Sequence, residues 1–137
     1  MAQSVREIMT SNPTTVRPES PVTDAARLMG SEDVGSLPVV EGDMLVGVVT
    51  DRDIAVRVVA EGKDPNATTV GDIHSSDPVT VAADQSLDEA LDEMARHQVR
   101  RLPVVDGEKL VGVLAQADVA REAGDAQTGR VVEEISE

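Results

Sequence analysis

The sequence predicts an α/β protein made of two copies of one β-α-β-β-α unit. Three observations carry that prediction. The chain repeats itself at a constant offset of 65 residues: residues 5–56 match 70–121 without a gap, with 20 of 52 positions identical. Each copy holds two short β-branched runs joined by a glycine turn. Each copy also has apolar residues at helical spacing behind a helix-start signal.

The elements follow in order. Pro13-x-Thr15-Val16, repeated as Pro78-x-Thr80-Val81, is extended, because a proline pushes the residue before it out of the helical region. A helix over 21–32 follows, with Ser20 as N-cap and Pro21 in the first turn. In copy two the start is Ser86-Leu87-Asp88-Glu89, a capping-box pattern. Val22, Ala25, Ala26 and Met29 share one helix face. Leu37–Val40 and Leu45–Val49 are strands of a hairpin turning at Glu41-Gly42-Asp43-Met44. A second helix over 52–60 is expected to be capped by Asp51 and ended by Gly62. The boundaries are 5–61 for copy one, 62–69 for a polar connector, 70–124 for copy two and 125–137 for an acidic tail.

Composition excludes several functions. The 137 residues carry net charge −14, with no cysteine, Phe, Trp or Tyr. Disulfides and thiolate chemistry are ruled out, as is stacking of bases on aromatic rings. The acidity disfavours duplex nucleic acid and anionic membranes, and no apolar run approaches the ~20 residues a membrane helix needs. With no apolar signal segment at the N-terminus, the expected location is cytoplasmic. One copy is small for independent stability, so the two are expected to pack with pseudo-twofold symmetry and leave related clefts.

Val34-Gly35-Ser36-Leu37-Pro38-Val39-Val40 and Leu45-Val46-Gly47-Val48-Val49-Thr50-x-x-Asp53, with their partners in copy two, resemble a tandem pair of cystathionine-β-synthase (CBS) domains, the Bateman module. The resemblance covers nearly the whole chain and is to the stand-alone form. It implies a regulatory sensor of adenosine-containing ligands (AMP, ADP, ATP, NAD or S-adenosylmethionine) that signals to a protein partner and pairs as a homodimer. It implies no enzyme activity. No cofactor is expected to be required, an adenine nucleotide being the regulatory ligand.

Carried over by that resemblance, the main site takes Thr50 and Asp53 from copy one. From copy two it takes Val79, Thr80 and Val81 as an edge and wall for adenine, and Arg100 and Arg101, just before Leu102-Pro103, for phosphate; Pro103 closes the set. The aspartate would accept the ribose hydroxyls, and the arginines would meet phosphate oxygens. A second, weaker site takes Asp118, Thr14, Thr15, Val16, Gly35 and Ser36. It departs from the pattern: Ala115 stands where copy one has Thr50, and no arginine precedes Leu37-Pro38.

Blander roles compete for other residues. His74 and His97 lack metal-ligand spacing, Glu7, Asp24, Asp72 and Glu89 read as solvated, and Met9, Met29 and Met94 read as core or dimer-seam residues. A ligand-free homodimeric scaffold is the alternative function; there the aspartates would only cap helices.

Overall fold

The structure, a computed structural model, describes residues 3–122; the end of copy two at residue 124 and the acidic tail lie outside them. The chain forms two compact units. The copy-one unit is Thr14–Pro78, and the copy-two unit joins the residues up to Pro13 with those from Val79 onward. The units of packing are thus shifted against the sequence repeats, and that shift has a hydrogen-bonding cause.

In the copy-two unit, α1 (Val5–Ile8) and β1 (Thr10–Ser11) precede β4 (Val81–Ala82), α4 (Leu87–His97), β5 (Arg101–Asp106), β6 (Lys109–Ala115) and α5 (Gln116–Glu122). β5 and β6 form an antiparallel hairpin from Arg101↔Ala115 to Asp106↔Lys109. β4 adds in parallel on β5, and β1 adds antiparallel on β6 with Thr10 opposite Val113. Its core centres on Val5, Leu87, Leu91, Met94, Leu102, Val104 and Leu114.

The copy-one unit holds α2 (Val22–Glu32), β2 (Ser36–Glu41), β3 (Met44–Thr50) and α3 (Asp51–Ile54), which continues as a wider turn over Ala55–Val59. The widening is a bond from the Ala60 N–H to the Ala55 carbonyl, five residues back. Both hairpins carry a bulge at the same repeat position, Val39/Val40 and Val104/Val105. Both turn at a glycine with positive φ: Gly42 at +59° and Gly107 at +67°. Val16 pairs in parallel with Val39, and a short 3₁₀ turn spans Val70–Asp72. The core is Val16, Val22, Ala25, Met29, Leu37, Val39, Val49, Val58, Val70 and Ile73.

The first N–H groups of a helix have no partner inside it and must find one elsewhere. Ser20 does not supply it: its hydroxyl accepts the Arg17 N–H, and the N-cap of α2 is Pro21, which has no capping side chain. The carbonyls of the connector serve instead. Val22 N–H donates to Thr68 at 2.9 Å and Thr23 N–H to Pro65 at 3.3 Å. In return Val70 N–H donates to Ser20 and Gly71 N–H to Pro18, both at 2.8 Å. The copy-two unit repeats this scheme 65 residues on. Leu87 N–H donates to Gln3, Val5 N–H to Gln85 and Arg6 N–H to Ala83. Each copy's leading segment therefore completes the other copy's unit.

Helix ends are equivalent too. Asp33 and Gln98 end α2 and α4 in the left-handed region, followed by N–H bonds from Val34 to Met29 and from Val99 to Met94. Met29 and Met94 are buried at those corners, whereas Met9 lies just past α1, half-buried against Gly112. After Val59, Gly62 N–H returns to Val59 and Lys63 N–H to Val58, so Gly62 ends the helix as expected.

The leading segments cross the hairpins at glycines. A Cβ on Gly47 would fall on the His74 ring and the Ser75 carbonyl; one on Gly112 would fall on Met9 and the Thr10 carbonyl. Gly47→Ala is expected to lower stability in urea unfolding by about 1–3 kcal/mol through overpacking. Gly30→Ala, on helix α2 with nothing within 4 Å, is expected to raise it by up to about 1 kcal/mol. Equal effects of the two would contradict the crossing.

Candidate ligand site

Thr50 ends β3 and is also the N-cap of α3, in place of the expected Asp51. Its Oγ1 accepts the Asp53 N–H at 3.0 Å, and Asp53 Oδ2 accepts the Thr50 N–H at 2.9 Å. This reciprocal box fixes both side chains. It leaves the Thr50 hydroxyl proton and Asp53 Oδ1 without a partner among the described residues. Asp53 is half-buried, so its carboxylate is held in place yet open to solvent. Asp51, one position on, donates its N–H to the Gly35 carbonyl at 2.9 Å, and a Cβ on Gly35 would sit 3.0 Å from Asp51 Oδ2. Ser36 lies opposite Thr50 in the hairpin.

The copy-one unit therefore holds Thr14, Thr15, Val16, Gly35 and Ser36 together with Thr50 and Asp53. Thr14 Oγ1 donates to Glu32 at 3.0 Å, Thr15 is half-buried, and Val16 is in the core. The copy-two unit holds Val79, Thr80, Val81, Arg100, Arg101, Pro103 and Asp118. Val81 is buried opposite Val104, and Pro103 is buried opposite Val113. Arg101 faces Ala115 across the hairpin, and the Arg100 carbonyl accepts the Gln116 N–H at 2.8 Å.

The stretch Arg96-His97-Gln98-Val99-Arg100-Arg101 divides in two. Arg96 pairs with Glu93 at 3.0 Å, and His97 Nε2 lies 3.4 Å from the same carboxylate, so both are engaged on their own helix. Arg100 is exposed and Arg101 half-exposed, and neither guanidinium forms an ion pair with a described residue. The acids read as solvated also divide. Glu7 and Asp24 are exposed, but Asp72 accepts the Thr69 N–H and Glu89 accepts the Ser86 N–H and hydroxyl, so these two cap helices.

Asp118 sits differently from Asp53. It is 8 % exposed, and its Oδ2 accepts the Ala115 N–H at 3.2 Å and the Thr10 hydroxyl at 3.4 Å. Sequence reasoning missed Thr10. The signal was the repeat offset itself, which matches Thr10 to Ser75, a second hydroxyl on a leading segment.

The CBS-domain family model matches residues 5–60 and 70–125. The chain belongs to the CBS-domain family. It is a tandem CBS pair, a Bateman module, and such modules are regulatory rather than catalytic. It is 44 % identical over 117 residues to the CBS domain-containing protein YhcV of Bacillus subtilis, covering 85 % of this chain and 83 % of that one. It is 40 % identical over 119 residues to hypoxic response protein 1 of Mycobacterium tuberculosis, covering 86 % and 83 %. A crystal structure of Hypoxic Response Protein I with two coordinated zinc ions matches with TM-score 0.79 and 40 % identity, over 88 % of this chain and 98 % of that one. CBSX2 in complex with AMP matches with TM-score 0.76 and 32 % identity, over 88 % and 95 %.

The zinc-bound relative corrects the expectation that a chain of this kind requires no cofactor. This CBS pair has no cysteine to offer a metal, and among the described residues no three His, Asp or Glu side chains gather as a metal site. His74 Nδ1 is 3.1 Å from the Ser75 carbonyl. No helix among the described residues is long and apolar enough to cross a membrane.

Thr50→Ala removes the cap hydroxyl. It is expected to cost about 0.5–2 kcal/mol in urea unfolding, whereas Thr50→Ser should retain nearly all of the stability.

Proposed function

We propose that this CBS pair is a sensor whose main ligand is an adenosine compound (AMP, ADP, ATP, NAD or S-adenosylmethionine), bound at Thr50 and Asp53. One observation carries the reading: a fixed, half-buried carboxylate with one oxygen unengaged, beside a hydroxyl free to donate. An ionised carboxylate accepts hydrogen bonds at about four lone-pair positions, and the cap uses one of them. Two vicinal ribose hydroxyls match what is left. Following the family pattern, Val79, Thr80 and Val81 supply an edge and apolar wall for adenine, with Pro103 beside them. Arg100 and Arg101 supply the phosphate contact. The counterpart set of the second repeat, Asp118 with Thr14, Thr15, Val16, Gly35 and Ser36, lacks both the hydroxyl and the arginine pair, so no ligand is assigned to it. A related protein solved with AMP supports the ligand class, and one solved with zinc makes a divalent cation the second ligand to test.

A ligand shifts a conformational equilibrium only by its unequal affinity for the two states. The signal here is a ligand-dependent arrangement of a cytoplasmic homodimer, read by a protein partner. Exposed Val56 and Val59, the latter 71 % exposed, favour the interaction side of this role and also suit a ligand-free scaffold.

Calorimetric titration with AMP separates the two. Asp53→Ala is expected to weaken binding by about 1.5–3 kcal/mol, the size of hydrogen bonds to a charged group. Unchanged affinity would remove Asp53 from the site, and no binding of any adenosine compound by the native chain would leave the scaffold.

Arg100→Ala and Arg101→Ala test the phosphate contact. Each is expected to weaken AMP by about tenfold while leaving adenosine affinity unchanged. Equal losses for both ligands would contradict a phosphate role.

A further inference from the structure

Asp53 and Asp118 occupy the same position of the repeat but have different partners. At Asp53 the partners belong to its own capping box, and the box uses one oxygen. At Asp118 a single oxygen, Oδ2, accepts both the Ala115 N–H and the Thr10 hydroxyl. Two bonds on one carboxylate oxygen fill its in-plane lone-pair positions. Asp118 as a residue is also only 8 % exposed, where Asp53 is half-buried.

The source of the second bond matters. Thr10 belongs to β1, a leading segment 108 residues away in sequence. Its repeat equivalent, Ser75, is exposed and does not bond Asp53. Ala115 cannot offer the hydroxyl that Thr50 offers, so Thr10 is the hydroxyl that completes the copy-two carboxylate's surroundings.

We propose that this chain takes one nucleotide, at Asp53, because Thr10 ties Asp118 into the fold. By donating to Asp118 it turns that aspartate into a fastening for β1, and it leaves Asp53 as the one of the two that is open to a ribose. The proposal rests on the ligand reading for its stoichiometry, but the fastening stands independently of any ligand. It also makes the counterpart site around Asp118 structural.

The test uses the full chain with AMP as probe, titrated calorimetrically, together with amide hydrogen exchange across residues 5–11. The native chain is expected to bind one AMP. Asp118→Asn should keep its AMP dissociation constant within about twofold. Exchange over 5–11 should accelerate about tenfold in Thr10→Val, which keeps the shape and loses only the donor. Two equal sites in the native chain, or a tenfold loss of AMP affinity in Asp118→Asn, would overturn the proposal. So would unchanged exchange in Thr10→Val. If the native chain binds no AMP, the ligand reading fails by itself. The exchange result then decides the fastening alone: acceleration upholds it and no change removes it.

Discussion

A helix that begins inside a small domain must find acceptors for its first N–H groups, and in this chain the connector supplies them for α2, while Gln3, ahead of α1, supplies one for α4 beside the Ser86 cap. The rest of the architecture depends on this requirement. It draws residues 3–11 onto the copy-two unit and the connector onto the copy-one unit, and it places a glycine, Gly112 or Gly47, wherever a leading segment crosses a hairpin. It also buries Val5 in one core and Val70 in the other, so hydrogen bonding and apolar burial favour the same exchange. The two halves of the exchange are not equal in chain terms. The connector folds back on the copy it has just left, whereas Thr10 meets Asp118 from the far end of the sequence. The latter closes a longer loop at greater entropic cost.

The same chemistry that starts a helix is what makes the candidate site. A capping box at Thr50 and Asp53 satisfies two backbone donors and holds two side chains in fixed rotamers, which is the preorganisation that a binding site needs. The carboxylate keeps an oxygen for other use. In the second copy the loss of the hydroxyl at Ala115 leaves half a box, and the carboxylate is drawn into the fold. Two positions identical by repeat thus differ in what they can offer a ligand.

Much of this was legible in the sequence. The hairpins, their glycine turns, the Ser86–Glu89 box and most of the buried face of α2 follow from residue type and spacing, though Ala26, expected on that face, is exposed. The family was legible as well. Errors fell where a tertiary partner replaced a local one. Ser20 looked like a cap because serine caps helices, but a distant carbonyl had already met that need. Asp51 looked like a cap for the same reason, and Thr50, one residue earlier, holds the box. The ends of α2 and α4 carry Asp33 and Gln98 in the left-handed region, with no glycine to announce it. The exchange of leading segments was invisible, because a repeat offset says which residues correspond and not which copy they pack on. The zinc of a related protein was likewise beyond what two isolated histidines could suggest.

Site-resolved amide exchange with and without saturating AMP tests the central claim most directly. The account predicts slowed exchange concentrated on residues 50–54, where the box and the open carboxylate lie, with residues 115–118 little changed. Protection centred on 115–118, or none anywhere along the chain, would contradict it.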